Sequence, residues 1–137
     1  MLNAYSNGQT IAATNGLVPF TSVSLAKGET TELSGINSIL LHRAGIYLIN
    51  MVVTGTPAAA GAVTVTMTRN GVTQNQATVN DPTAATTVGV TMPMVTLVQV
   101  PENDGCCCCK APTVLQFVNT GVGLNNASAT LVITKVC

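Results

Sequence analysis

The run from Ala44 to Gly55 constrains the fold more than any other part of the sequence. It consists mostly of aliphatic and β-branched residues around Tyr47, with Gly45 near its start and a Gly-Thr-Pro sequence at its end. An apolar run of this length between turn residues predicts a strand that is buried on both faces. Such a strand needs a partner on each side, so we expect the other segments to be its neighbours.

A hairpin signal follows this run. The segment Ala62–Thr68 alternates apolar residues with threonine, which indicates a half-buried strand. Asn70-Gly71 then predicts a type I′ turn, because both residues tolerate positive φ, and Val72–Val79 is the predicted return strand. Further strands are predicted over residues 4–6, 10–13, 17–25, 36–41, 86–100, 112–119 and 128–136.

Two prolines lie inside predicted strands. Because proline has no N–H for the hydrogen-bond ladder, the strands with Pro19 and Pro93 should lie at an edge or contain a bulge. No segment combines a helical period with capping residues. Eight or so strands at regular spacing in 137 residues predict one all-β domain, a β-sandwich or jelly roll.

The chain carries very few charges. Charged residues make up 7% of the sequence and the net charge is zero, whereas about a quarter of the residues in an average globular chain are charged. Equal numbers of basic and acidic residues exclude a basic surface for nucleic acid. A monomer with so little charge would associate, and the stretch Thr91–Val100 has almost no polar face. We therefore expect surface to be buried in an assembly; the alternative is a monomer solvated by hydroxyls and amides.

The first residues resemble neither a signal peptide nor a membrane anchor. They contain no basic segment followed by an apolar one, and no apolar run reaches the roughly 18 residues of a membrane helix. We expect synthesis in a cytosol and no membrane partner. The five cysteines would then fit a particle that is assembled inside a cell and later meets oxidising conditions.

The cysteine cluster Cys106–Cys109 is the most distinctive motif. Zinc sites usually space their ligands, and four adjacent cysteines in a strand would point to alternating sides, Cys106 and Cys108 opposite Cys107 and Cys109. We therefore favour a disulfide over a metal site.

Register suggests a partner for the C-terminal cysteine. If the last two strands form a hairpin with its turn near Gly123, position 109 lies opposite Cys137. Facing Cα atoms are about 4.5 to 5.5 Å apart, within disulfide range. We predict that Cys137 pairs with Cys109, or with Cys108 if the turn is shifted. An odd cysteine remains for an interchain bond or a free thiol, and five reduced thiols are the alternative.

No residues form a recognisable catalytic set. His42 is the only histidine and lies in a turn, where a surface residue is commoner than a base. Glu102 and Asp104 are close enough to bind a cation with Asn103, but a solvated acidic loop is the commoner outcome. No phosphate-binding loop precedes a helix. We predict a protein that is not an enzyme and has no cofactor and no metal.

The residues Leu40–Ile49 carry a family resemblance. A short strand, then Ala44-Gly45-Ile46-Tyr47-Leu48-Ile49, resembles the recurring "AG-x-Y-x-I/V" signature of the tumour-necrosis-factor and complement-head superfamily. The opening Tyr5–Gly8, the hairpin Thr66–Val72 and the ending Leu131–Cys137 are similar to its bacterial and phage branch. That branch includes the heads of spore-surface collagen-like glycoproteins and small phage virion proteins.

The resemblance implies a ten-strand jelly roll in a tight homotrimer, with a structural or adhesive role. Because the chain has no collagen-like tract, the resemblance favours a phage capsid decoration or head-fibre protein. Such a protein lies on the virion surface, in contact with other virion proteins. We expect residues 1–16 to contact the particle and residues 17–137 to form the jelly roll. The alternatives are a disulfide-crosslinked spore-surface or appendage subunit and an adhesive head that binds host-surface glycans.

Overall fold

Strands supply all the regular structure in the described part of the chain. The computed structural model describes residues 1–28, 30–86, 88–101 and 112–137, with the backbone alone at residues 83 and 84. Its strands are β1 Leu2–Ile11, β2 Gly16–Leu17, β3 Ser22–Ala26, β4 Thr31–Ser34, β5 Ser38–Leu41, β6 Gly45–Pro57, β7 Gly61–Arg69, β8 Val72–Ala84, β9 Val90–Val100, β10 Thr113–Asn119 and β11 Leu124–Lys135.

Two antiparallel sheets pack face to face. The five-stranded sheet has the order β3-β1-β11-β6-β9, and the six-stranded sheet has the order β4-β5-β10-β7-β8, with β2 also paired to β10. The alternating side chains that face inward form one apolar core. The all-β jelly-roll sandwich predicted from the sequence is confirmed.

The predicted central strand has partners on both sides, but its burial was predicted wrongly. β6 pairs with β11 and β9 along most of its length. Tyr47, Ile49, Met51 and Val53 face the core, whereas Leu48 on the opposite face is exposed. The burial fails on one face because no other layer among the described residues covers the outside of the five-stranded sheet.

The turn and proline signals have mixed outcomes. Asn70 and Gly71 have φ values of 50° and 82° and join β7 to β8, as a type I′ hairpin requires. Pro93 lies in β9, an edge strand of its sheet, as predicted. The strand predicted over residues 17–25 is wrong. Around Pro19 the chain leaves β2 in one sheet and enters β3 in the other.

The N-terminal residues belong to the five-stranded sheet. β1 is one strand that pairs with β11 and β3, rather than the two short pieces predicted. The Asn7-Gly8 sequence produces a register shift between Ser6 and Gln9 instead of a turn, with Gly8 at φ 65°. Contact of this segment with a particle stays a prediction.

The crossing from β10 to β11 is held by a buried amide. Asn119 is completely buried. Its Nδ2 donates to the carbonyl oxygens of Val122, at 2.7 Å, and Ala12, at 3.3 Å, and its Oδ1 accepts from the backbone N–H of Gly121, at 3.0 Å. These bonds satisfy backbone groups of two loops and fix the point at which the chain changes sheets.

Candidate functional site

The outer face of the five-stranded sheet carries apolar side chains grouped around Asn50. We call it the apolar face and define it by the outward side chains of Tyr5, Leu48, Val52, Val95, Leu97 and Val132. Leu48 lies directly opposite Leu97 in the β6–β9 ladder, and Val95 and Val132 flank Asn50 from either side. Val95 is 64% exposed and Leu97 is 58% exposed. Leu48, Leu97 and Val95 thus form a patch of exposed apolar side chains beside Asn50, and exposed apolar patches are typical of interaction sites.

The same sheet is almost free of charge. Lys135, the last residue of β11, is the only charged residue in the sequences of its five strands. The six-stranded sheet, by contrast, contains Glu32, Arg69 and Asp81. The apolar face therefore offers no charges for salt-bridge recognition, and its complement must also be apolar and uncharged.

The C-terminal cysteine lies at one end of this sheet. The N–H of Val136 donates to the Ile46 carbonyl oxygen at 2.8 Å, and the N–H of Ile46 donates to the Cys137 carbonyl oxygen at 3.2 Å. Gly45, at φ 146°, pairs with Val100 on the other side of β6. A Cβ at Gly45 would collide with the Cys137 carbonyl oxygen and the Lys135 side chain, so glycine is required there.

The hairpin used to choose a partner for Cys137 is wrong. β10 and β11 belong to different sheets, because the chain crosses the sandwich between them. Position 109 therefore does not face Cys137 by hairpin register. Cys106–Cys109 lie outside the described residues, and the Cys137 thiol is exposed, so the pairing of Cys137 with Cys109 or Cys108 stays a prediction.

His42 pairs with Glu32 at the edge of the six-stranded sheet. The Nε2 atom of His42 is 2.9 Å from a Glu32 carboxylate oxygen, within hydrogen-bond distance at the protein surface. Within the described ranges no three or more His, Cys, Asp or Glu side chains cluster as metal ligands would. Glu102 and Asp104 lie outside those ranges, which leaves the acidic loop untested.

Tyr47 anchors the turn that leads into β6. Its ring is in the core, and its hydroxyl donates to the Arg43 carbonyl oxygen at 2.7 Å. Burial raises the pKa of the phenol above its ordinary value. Its core position agrees with the burial predicted for the strand that contains it.

A polar groove lies on the outer face of the six-stranded sheet. We call it the threonine groove; its floor is Thr66 and Thr68 of β7 with Gln116 and Val118 of β10. It has a volume of about 380 Å³. The hairpin at Gly71 and Thr73 forms one side, and Asn15, Leu17 and Thr120 lie along the other.

The comparisons with known proteins establish the fold class. No protein-family model matches the sequence, and a search of curated proteins finds no match. The fold is a jelly roll, as the sequence resemblance implied, and solved structures share it over nearly the whole chain.

Two solved structures carry this conclusion. The chain is similar to PRD1 vertex protein P5, with a TM-score of 0.63 and 19% identity over 99% of this chain and 96% of that one. It is similar to murine APRIL with a TM-score of 0.63 and 9% identity over 98% of both chains. In the described ranges no helix is long and apolar enough to span a membrane.

Sequence reasoning located the apolar face only in part. The near absence of polar residues in Thr91–Val100 gave the signal, but it could not show which side chains point outward. The exposure of the paired residues Leu48 and Leu97 settles that question. The threonine groove was missed, since its residues come from β2, β7, β8, β10 and adjoining turns, which only the fold brings together.

Proposed function

We propose that this chain is a structural protein of a phage particle surface, without catalytic activity, that assembles as a homotrimer through its apolar face. The observation that carries the proposal is the exposed, charge-free apolar surface on the outside of the five-stranded sheet. A second copy of the same chain is the partner that offers a matching apolar, uncharged surface.

The energetics favour burial of this face. Complete burial of a valine or leucine side chain stabilises by roughly 1.5 to 3 kcal/mol, and six apolar side chains define the face. Obligate interfaces between identical subunits are more apolar than other protein interfaces. Burial in a trimer also accounts for the low charge content, because this surface never needs to be soluble on its own.

The phage particle is supported by the fold. PRD1 vertex protein P5 has the same fold over almost the whole of both chains. In this proposal the virion surface is the location and other virion proteins are the partners. Residues 1–16 contact the particle, beginning at Met1, which is exposed just before β1.

A disulfide between Cys137 and the cysteine cluster would crosslink the finished subunit. Val100 and the end of the chain lie on opposite sides of the first residues of β6, which is about 10 Å over two strand spacings. The five Cα-to-Cα steps from Pro101 to Cys106 reach up to roughly 17 Å when extended. A bond from Cys137 to Cys109 or Cys108 is thus within reach without the hairpin.

The test is native mass with and without reductant, on the wild type and two matched variants. Val95 and Val72 are each 64% exposed, but only Val95 lies on the apolar face. We expect a trimer that persists in reductant, loss of the trimer in Val95→Lys, and a normal trimer in Val72→Lys. A wild-type monomer in both conditions would overturn the homotrimer. A covalent ladder that collapses on reduction would instead favour the crosslinked spore-layer subunit.

A further inference from the structure

We infer that the threonine groove binds a neutral saccharide chain. The groove lies on the six-stranded sheet, on the opposite side of the sandwich from the apolar face. The inference therefore goes beyond the proposed assembly, and the groove remains accessible when the apolar face is covered.

The chemistry of the lining selects an uncharged, hydroxyl-rich ligand. Every described residue that lines the groove is uncharged, and most carry a hydroxyl or an amide. Threonine hydroxyls and carboxamides both donate and accept hydrogen bonds, as sugar hydroxyls do. A charged ligand would lose hydration without gaining a counter-charge, so acidic and basic ligands are disfavoured.

Several of these groups have bonding capacity to spare. The hydroxyls of Thr73 and Thr120 make no side-chain hydrogen bond to another residue in the described ranges. Gln116 donates from Nε2 to Ser38 Oγ at 2.8 Å, which fixes the amide plane and leaves Oε1 to accept from a ligand. The side chains therefore supply both donors and acceptors at the groove surface.

The groove is held rigid by the backbone and by one side chain. Thr66 pairs with Val118 and Thr68 with Gln116 in the β7–β10 ladder, so the floor positions are about 4.8 Å apart across strands. Asn70 fixes the hairpin wall, because its N–H donates to the Val114 carbonyl oxygen and its Oδ1 accepts from the Val114 N–H, both at 2.8 Å. A site that needs no reorganisation loses less free energy on binding.

Apolar surface is present for the C–H face of a sugar ring. Leu17 and Val118 are direct ladder partners and both line the groove. No aromatic ring is among the described lining residues, so stacking on a ring makes no contribution there. We therefore expect weak binding, with a Kd on the order of 1 mM for a short chain.

The experiment is a nitrogen–proton NMR titration of the full chain. The probes are neutral trisaccharides of glucose, galactose, mannose and N-acetylglucosamine, with trigalacturonate as the acidic control. We expect saturable shifts in the amide signals of Thr66, Thr68 and Gln116 with at least one neutral probe, and none with trigalacturonate.

Two tryptophan substitutions localise the site. Thr73→Trp fills the groove and should weaken binding at least tenfold, whereas Gln76→Trp adds the same ring at an exposed position of β8 outside the groove and should bind as the wild type does. The spectra of both variants report whether they fold. The inference would be overturned if no neutral probe caused shifts at concentrations up to about 20 mM, well above the expected Kd. Stronger binding of trigalacturonate, shifts outside the groove, or unchanged binding in a folded Thr73→Trp variant would also overturn it.

Discussion

Phe20 and Phe117 meet edge to face inside the sandwich, with ring centroids 6.0 Å apart and an interplanar angle of 78°. Both rings are completely buried. Phe117 belongs to β10, whereas Phe20 lies in the segment that crosses from one sheet to the other. The Val18 N–H also donates to the Phe117 carbonyl oxygen at 2.8 Å. The ring pair and this bond hold the crossing segment against the core.

Phe117→Ala should lower the free energy of unfolding by about 3 to 5 kcal/mol, because it removes a fully buried ring and leaves a cavity. Urea unfolding followed by circular dichroism measures the loss. The matched control is Val118→Ala on the same strand, whose half-buried side chain faces the other way. An equal loss in both variants would contradict the role given to the ring pair.

Asn70→Ala should cost about 1 to 3 kcal/mol in the free energy of unfolding. Alanine is strained at the φ of 50° found here, and it leaves the Val114 N–H without the Asn70 Oδ1 acceptor. Asn70→Gly separates the two effects, since glycine adopts the turn but cannot accept the bond. We expect the glycine variant to lie between alanine and the wild type in thermal unfolding. A glycine variant as stable as the wild type would show that the side-chain bond contributes nothing.

Tyr47 should make the protein sensitive to alkali. Its folded-state pKa is raised by burial, whereas the unfolded value is about 10. The folded state therefore holds the phenol proton more tightly, so this contribution to stability is complete below pH 10 and is lost as the pH rises through the folded-state pKa. Unfolding free energies from pH 7 to 11.5 should fall more steeply for the wild type than for Tyr47→Phe.

The Tyr47→Phe variant should also be less stable at neutral pH by roughly 0.5 to 1.5 kcal/mol, because it lacks the hydrogen bond to the Arg43 carbonyl oxygen. Tyr5 is present in both proteins, so the comparison isolates Tyr47. Identical alkaline slopes in the two proteins would contradict the burial argument.

Cys137 should be found joined to the cysteine cluster in oxidised protein. Trypsin cuts after Lys110 and Lys135, so the C-terminal fragment is Val136-Cys137 and the cluster ends a separate fragment. Without reductant, mass spectrometry should find these two fragments linked. Cys137→Ser should lower stability by roughly 3 to 4 kcal/mol in oxidised protein and leave reduced protein unchanged. Release of Val136-Cys137 without reductant would refute the crosslink.

Local signals in the sequence predicted the structure where one short segment decides it. The Asn70-Gly71 turn, the alternation in β7 and the edge position of Pro93 depend on backbone preferences of a few residues. The partners of β6 followed from its length and apolar content. These features needed no knowledge of the rest of the chain.

Pairings between distant segments could not be predicted in the same way. Closeness in sequence suggested that β10 and β11 form a hairpin, yet the crossing held by Asn119 puts them in different sheets. Uniformly apolar strands also conceal which side faces solvent. In β6 the two faces differ in burial although both are rich in apolar residues, and only the covering layer distinguishes Tyr47 from Leu48.

Pairing of Leu2 with Ile133 brings the first and last strands together at one end of the sandwich. Any segment attached before Met1 or after Cys137 would therefore emerge from that same end. In a threefold assembly with its axis along the strands, the three N-termini and three C-termini would all lie at the same end of the trimer. If the trimer is attached to the particle through that end, the opposite end of the sandwich, where Gly55 and Asn125 lie, would point away from the particle.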